Sequence, residues 1–237
     1  MAANKRVGKK SLAQNDYLAP AAPLIGSATD VGTSRAYNDG AATVAFTHQG
    51  PNAATSYTAT SSPGGYTASG SSSPLTVTGL QSNTNYTFTV TATNTYGTSA
   101  ASSATSAITA TTVPAAPTGA SATSPSGTSY DTVTWTAPAN GGKAISNYYI
   151  TSSDGKTGNT SSTSININQE AGTAQTYNVY ADNANGRSAA STASNSVTTF
   201  SFVPFSVFGF SPFGVFGFSP FGVFGFSPFS FNVFRSQ

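Results

Sequence analysis

The fold is decided by YTFTVTATNTYG at residues 86–97 and by YNVYADNANG at residues 177–186. After the tyrosine of each stretch, apolar and polar side chains alternate, which is typical of a β-strand with one buried face. Each stretch ends in a turn with Asn and Gly and continues into Ser/Ala-rich sequence, which we expect to form a further strand. The two stretches are similar, so the sequence predicts an internal repeat.

Short runs of the same kind occur elsewhere between residues 24 and 199. Alternating runs lie at residues 43–47, 133–135 and 148–150, and turn signals lie at residues 38–40, 63–65, 140–142 and 154–155. Strands of about five residues with a turn every ~8–12 residues are typical of a β-sandwich. The sequence contains no amphipathic helical stretch of any length, so the predicted fold class is all-β.

Proline-containing segments precede both halves of the repeat. APAAP occupies residues 19–23, and VPAAP occupies residues 113–117. Proline stops the preceding strand and makes a short, stiff connection. We therefore divide the chain into an extended basic arm (residues 1–23), module 1 (residues 24–113), module 2 (residues 114–199) and a Phe/Gly/Pro-rich tail (residues 200–237).

Both modules resemble the fibronectin type III family. In module 1, Gly79-Leu80, Tyr86, Phe88, Val90, Ala92, Asn94 and Gly97 are similar to the E–F corner and F strand of the family. In module 2, Trp135, Pro138, Gly141-Gly142, Ile145, Tyr148 and Ile150 are similar to its B strand, B–C loop and C strand. The resemblance covers about three quarters of the chain. It implies two tandem β-sandwiches that act as spacers or binding modules rather than as catalysts.

The resemblance also implies the main structural core residues, which are Phe46, Tyr86, Trp135, Tyr148 and Tyr177. Tyr86 and Tyr177 would be corner tyrosines, whose hydroxyl bonds back to the backbone. Two positions depart from the family, because Phe46 stands where tryptophan is usual and Ala171 stands at the corner leucine position. Smaller core side chains imply modules of modest stability, which favours support from neighbours.

The composition excludes several kinds of reactive site. The chain of 237 residues has no cysteine and a single histidine, His48, so it can form no disulfide, thiolate metal site, cysteine nucleophile or histidine cluster. Most of its seven acids lie in or beside predicted turns, where solvated carboxylates are expected. His48 fits a sheet edge or a loop better than a general base. We therefore predict a protein that is not an enzyme, with no catalytic residue, metal ligand or cofactor.

Charge and surface composition bear on the partners. A net charge of +2 is too small for a dedicated nucleic-acid binder, and no run reaches the roughly 18 apolar residues of a membrane helix. Ser/Thr-rich outer faces favour β-structure and hydrate well, so we expect at most weak carbohydrate contact. Asn185-Gly186-Arg187 matches an adhesive tripeptide, but we interpret it as a turn.

The arm leaves two interpretations open. Its basic residues are Lys5, Arg6, Lys9 and Lys10, and Tyr17 and Leu18 follow them. The simpler interpretation is a solvated terminal segment. The alternative is a peg for particle anchoring, in which the cations meet an acidic partner surface and the two large side chains fill a pocket. No apolar run follows the basic residues, so we expect no Sec export.

The tail contains 14 of the 16 phenylalanines and repeats the unit F-G-F-S-P-F-G-V every eight residues. A proline in every unit excludes an α-helix. Phenylalanine and glycine alternate in short runs, so the large side chains can share one face while glycines let another backbone approach. We expect homo-oligomerisation or docking through Phe205, Phe208, Phe210, Phe213, Phe216, Phe218, Phe221, Phe224, Phe226 and Phe229. The alternatives are a sticky disordered segment and an aggregation-prone one.

A basic arm, two spacer modules and an assembling tail indicate a structural protein. Ser/Thr-rich modules of this kind resemble those of tailed-phage structural proteins. We therefore expect a phage virion component, either a head decoration or fibre or a tail appendage. It would be assembled in the host cytoplasm with other virion structural proteins. The alternative is a subunit of a bacterial filament or adhesin at the extracellular surface. A third class, an accessory fragment of a glycan-active enzyme, lacks the enzyme.

Overall fold

The computed structural model of the protein describes residues 18–199. Within these residues every regular element is a β-strand, which confirms the all-β prediction. Five of the expected anchoring residues lie outside the described residues: Lys5, Arg6, Lys9, Lys10 and Tyr17. The same holds for the tail and its oligomerisation residues Phe205, Phe208, Phe210, Phe213, Phe216, Phe218, Phe221, Phe224, Phe226 and Phe229.

Module 1 is built from two antiparallel sheets. Its strands are β1 (Leu24–Asp30), β2 (Gly40–Thr47), β3 (Ser56–Ser62), β4 (Thr67–Gly70), β5 (Leu75–Leu80), β6 (Thr84–Asn94), β7 (Gly97–Thr98) and β8 (Ile108–Ala110). One sheet has the order β1-β2-β5, and the other has the order β4-β3-β6-β7 with β8 also paired to β6. The run predicted at residues 43–47 lies in β2, and the run at residues 86–92 lies in β6.

Module 2 repeats this arrangement. Its strands are β9 (Thr118–Thr123), β10 (Tyr130–Thr136), β11 (Ile145–Ser152), β12 (Thr157–Thr160), β13 (Ser164–Asn168), β14 (Ala174–Gln175), β15 (Tyr177–Asn183), β16 (Gly186–Arg187) and β17 (Val197–Thr198). One sheet has the order β13-β10-β9, and the other has the order β12-β11-β15-β16. A short pair, β14 with β17, joins the last strand to the module.

Each module has a hydrophobic core of its own. Alternation along β6 buries Phe88, Val90 and Ala92 completely, while the threonines between them lie toward the other face. Phe46 packs on Tyr57 with ring centroids 4.7 Å apart. In the core of module 2, Trp135 packs edge-on against Tyr148, and the same cluster contains Val133, Ile150, Tyr177 and Val179. Two separate cores are what two modules require.

The two corner tyrosines differ from each other. The hydroxyl of Tyr86 accepts a hydrogen bond from the backbone N–H of Gln81 at 3.0 Å, so it bonds to the backbone as the resemblance implies. The hydroxyl of Tyr177 instead donates to the carboxylate of Asp131 at 2.6 Å and accepts from the side-chain amide of Gln169 at 2.8 Å. The backbone bond expected for Tyr177 is therefore replaced by two bonds to buried side chains.

The Ser/Ala-rich segments that follow β7 and β16 are not the regular strands we expected. Every third residue of the segment bonds to the neighbouring strand, and successive bonds reach every second residue of that strand. At each step the backbone N–H donates to a carbonyl of the strand, and the side-chain hydroxyl accepts from the N–H of the same strand residue. We call these residues the rungs; they are Ser99, Ser102 and Thr105 on β6, and Ser188, Ser191 and Ser194 on β15.

Candidate functional site

The connection between the modules is an irregular segment held by many hydrogen bonds. Thr111, Thr112 and Val113 carry the chain from module 1 to module 2, and all three are buried. They pass between the loop after β1, the loop after β10 and the turn between β15 and β16. We call this contact the joint; it comprises residues 30–37, 111–116, 139–142 and 183–187.

On the module 1 side of the joint, Asp30 holds the connecting chain. Its Oδ1 accepts from the N–H of Thr111 at 2.9 Å, and its Oδ2 accepts from the Thr111 hydroxyl. The expectation of a solvated acid is therefore wrong for Asp30, which is half-buried at the end of β1. The reason is topological, because β8 ends beside the end of β1 and brings Thr111 within reach.

On the module 2 side, two asparagines at the turn between β15 and β16 bond to the same connecting segment. Asn183 Nδ2 donates to the carbonyls of Thr112 at 2.9 Å and Asn140 at 2.8 Å. Asn185 Nδ2 donates to the Thr111 hydroxyl at 2.8 Å and to the Thr112 carbonyl at 3.1 Å. Asn183 Oδ1 also accepts the N–H of Asn185 at 2.8 Å. Both amide nitrogens and the Oδ1 of Asn183 thus fix either the turn or the connection.

Backbone bonds complete the joint. The N–H of Ser34 in module 1 donates to the carbonyl of Asn185 in module 2 at 2.8 Å. The N–H of Thr112 donates to Gly141 at 2.8 Å. Gly32 has no room for a side chain, since a Cβ there would lie 2.6 Å from Asn185 Nδ2 and 2.8 Å from the Thr111 carbonyl oxygen. The joint is therefore a packed, bonded contact rather than a flexible tether.

The chain enters module 1 in the same way as it enters module 2. Asn94 Nδ2 donates to the carbonyl of Leu18 at 2.9 Å, and Asn94 Oδ1 accepts the N–H of Tyr96 at 2.9 Å. These contacts match those of Asn183 with Thr112 and Asn185. Leu18, a predicted anchoring residue, leaves 53% of its surface exposed at this end of module 1.

At the far end of module 2, a buried acid holds the last described residue. Asp131 is fully buried in β10, and its Oδ1 accepts from the hydroxyl of Thr199 at 2.9 Å while its Oδ2 accepts from Tyr177. The N–H of Gly172 donates to the Thr199 carbonyl at 3.0 Å. The expectation of a solvated acid is wrong for Asp131 as well. Its i, i+2, i+4 spacing with Val133 and Trp135 was the signal that could have placed it inside.

Arg187 forms a polar surface cluster beside the joint. Its guanidinium makes two bonds with the Asp182 carboxylate at 2.8 and 2.9 Å, and these raise the pKa of Arg187. It also lies over the Tyr149 ring at 4.2 Å, next to Tyr180. Asn185 is buried in the turn and Gly186–Arg187 form β16, so the tripeptide at residues 185–187 is part of a tight hairpin rather than an exposed loop.

Residues 18–199 contain no group of three side chains that could hold a metal ion. His48 follows β2, as a loop residue, and its ring meets Tyr57 edge-on with centroids 6.1 Å apart. Two cavities of about 540 and 480 Å³ lie on either side of Tyr37 at the joint. The described part of the chain also has no helix with the length and apolar character that crossing a membrane requires.

The predicted core residues all lie inside their modules. Phe46 and Tyr86 belong to the core of module 1, and Trp135, Tyr148 and Tyr177 belong to the core of module 2. Burial raises the pKa of the Tyr148 hydroxyl. The residues whose structural roles the sequence did not predict are polar: Asp30, Asp131, Asn183, Asn185 and the rungs.

These features define a class of protein module. Residues 29–108 match the family profile described as "Fibronectin type III domain". Residues 29–108 are therefore similar to a fibronectin type III domain, which is typically a non-catalytic module of structural and adhesive proteins. A search of curated proteins found no match.

Several solved structures are similar to the chain. The chicken CNTN1 FN1-FN3 domains share 17% identity at a TM-score of 0.43, with 77% of this chain and 67% of that chain covered. Titin domains A168-A170 share 20% identity at a TM-score of 0.39, covering 76% and 62%. Titin kinase with its flanking domains shares 27% identity at a TM-score of 0.33, covering 37% and 17%. The chain thus spans only a small part of the titin kinase chain.

Proposed function

We propose that this chain is a non-enzymatic structural protein in which the two modules form a stiff spacer between the arm and the tail. The carrying observation is the placement of the two ends of the described chain. Leu18 is bonded beside Asn94, at the end of module 1 away from the joint. Thr199 is bonded to Asp131, at the end of module 2 away from the joint. Leu18 and Thr199 thus lie at opposite ends of the two modules.

The joint supports a spacer role. Modules linked through a small, mobile contact are expected to move relative to one another. Here Thr112 is fully buried, and it bonds to both the loop after β10 and the turn after β15. A displacement applied at one end of the spacer would therefore be transmitted to the other end.

The assembled structure we propose is a phage virion, with the chain as a head decoration or fibre or as a tail appendage. The absence of cysteine supports folding in a reducing cytoplasm before use outside the cell. In this role the arm residues anchor the chain to other virion structural proteins, and the tail phenylalanines join copies of the chain. The alternative role is a bacterial extracellular filament or adhesin subunit, with weak carbohydrate contact at the Ser/Thr-rich faces.

Light scattering of the full chain and of a chain ending at Thr199 tests the assembly role. We expect an oligomer for the full chain and a monomer for the shorter one, because the shorter chain lacks 14 phenylalanines. Two monomers would contradict a self-associating tail. Electron micrographs of native material then separate the alternatives, since icosahedral or tailed particles indicate a virion and long bare filaments indicate a surface fibre.

A further inference from the structure

The sheet edge formed by each set of rungs has an unusual use of side-chain hydroxyls. In a regular edge strand, the outer N–H and C=O groups stay unpaired and can accept a strand from another chain. Here the outermost segments are residues 99–105 in module 1 and residues 188–194 in module 2, and they lie beside β6 and β15. Both carry hydroxyl side chains at every third position.

Each rung makes the two bonds that a regular strand would make. In module 2 the N–H of Ser191 donates to the Val179 carbonyl at 2.8 Å, and Ser191 Oγ accepts the Val179 N–H at 2.9 Å. Ser188 and Ser194 repeat this with Ala181 and Tyr177 at 2.9–3.0 Å. The hydroxyl thus takes the place of the backbone carbonyl in the ladder.

Most rungs also occupy an acceptor of their own segment. The hydroxyls of Ser99 and Ser102 donate to the carbonyls of the next residues at 2.7 Å, and those of Ser188 and Ser194 do so at 2.7 and 2.8 Å. Each of these carbonyls is thereby occupied by a hydroxyl of its own segment. Three residues of the segment also lie opposite two residues of the neighbouring strand. This mismatch is a β-bulge at every step, and bulges disrupt strand pairing.

The neighbouring edge of module 2 is covered as well. Asn195 follows the last rung, and its amide bonds to both backbone groups of Ala122 in β9, with Oδ1 accepting the N–H and Nδ2 donating to the carbonyl, each at 2.9 Å. An amide side chain therefore occupies the two backbone groups that a partner strand would pair with at Ala122 of β9.

We propose that the rungs close this edge of each module to strand addition by a second copy of the chain. The pattern S-x-x-S-x-x-[ST] after the F strand is then the sequence signature of a sealed edge. The inference stands independently of the proposed function. It means that copies of the chain pair through surfaces other than these edges, whichever segment joins them.

Single cysteines test the proposal directly, because the full chain contains none. Ala190→Cys places a thiol on the exposed outer side of the rung segment, and Thr134→Cys places one on the exposed face of β10. Under oxidation of the full chain, we expect no more disulfide-linked dimer from Cys at 190 than from Cys at 134. If position 190 crosslinks more than position 134 in a chain with all rungs intact, the proposal is overturned.

Loss of a rung gives the second arm of the test. Ser191→Ala should raise amide exchange at Val179 about tenfold and increase crosslinking at position 190 severalfold. Ser191→Thr should keep the amide exchange and the crosslinking of the parent, since Thr105 makes the equivalent bond in module 1. Thr192→Ala, on an exposed residue between rungs, is the matched control. Faster exchange at Val179 without any gain in crosslinking would show that the hydroxyls do not close the edge.

Discussion

At the residue scale, Asp131 shows how module 2 stabilises an acid without a direct cation. The carboxylate accepts from two hydroxyls, those of Tyr177 and Thr199. Lys156 Nζ bonds to Gln169 Oε1 at 3.0 Å, and Gln169 in turn bonds to Tyr177. A buried carboxylate needs such donors because an unpaired charge inside a core is costly. The bond to Thr199 holds the last described residue against β10.

Tyr177→Phe tests this cluster through pH. Burial and the bond to Asp131 raise the pKa of the Tyr177 hydroxyl above its ordinary value. A raised pKa gives stability that is complete below about pH 10 and is lost as pH rises further. We expect the variant to lose about 1–3 kcal/mol at pH 7, because Asp131 and Gln169 each lose a partner. It should also show a shallower loss of stability above pH 10.

Urea unfolding between pH 7 and 11 measures both effects. Tyr37→Phe, at an exposed tyrosine of the joint, is the control and should retain the stability and the alkaline decline of the parent. An alkaline decline that is equally steep in Tyr177→Phe and the parent would contradict the assigned role of the hydroxyl.

At the element scale, the turns and loops make the contacts that join the two modules. The strands β6 and β15 are predicted by simple alternation of side chains. The loops after β1 and β10 instead belong to the joint because the connecting segment packs on them. Gly32 is an example, since the loop after β1 approaches the connecting chain so closely that no Cβ fits. A pattern of glycines in the sequence marks turns without showing which one touches another module.

Gly32→Ala should therefore weaken the joint. The added Cβ must displace Thr111 or Asn185, and overpacking of this kind costs about 1–3 kcal/mol. Thr33→Ala, at the exposed neighbouring residue, should stay within about 0.5 kcal/mol of the parent. Chemical unfolding followed by far-UV circular dichroism compares the three chains, and equal midpoints for all of them would refute the close packing at Gly32.

At the scale of the two modules, a few polar side chains hold the modules in a fixed orientation. Asp30 contributes from module 1, and Asn183 and Asn185 contribute from module 2. Each of them bonds to the connecting chain rather than to the opposite module's surface. The orientation of the modules is thus set by the segment that links them, and Ser34 adds one direct bond across the joint.

Asn185→Ala should loosen the joint without unfolding either module. The variant loses the two bonds from Asn185 Nδ2 to Thr111 and Thr112. Spin labels on Thr76→Cys and Thr134→Cys, both exposed and in different modules, report the distance between modules. We expect a broader distance distribution than in the labelled parent, while Asn168→Ala, on an exposed asparagine, leaves it unchanged. A distribution of unchanged width in Asn185→Ala would show that backbone bonds alone hold the joint.

The sequence predicted the core better than it predicted the joint. Phe46, Tyr86, Trp135, Tyr148 and Tyr177 follow from alternation and from a resemblance to the fibronectin type III family, and all lie in the cores. The polar residues could not be placed in this way. An aspartate in a turn-rich sequence fits solvent equally well, so its burial depends on donors that are distant along the chain. Thr111 is 81 residues from Asp30, and Thr199 is 68 residues from Asp131.

The sequence by itself determined the all-β class, the internal repeat and the inward faces of the main strands, because side-chain alternation is a local property of an extended backbone. The tertiary structure decided the joint, the corner bonds of Tyr177 and the rungs. Each of these depends on partners that only folding brings together. A serine at every third position has no visible partner in the sequence, and it becomes a rung only because β6 or β15 lies alongside with two backbone groups to pair.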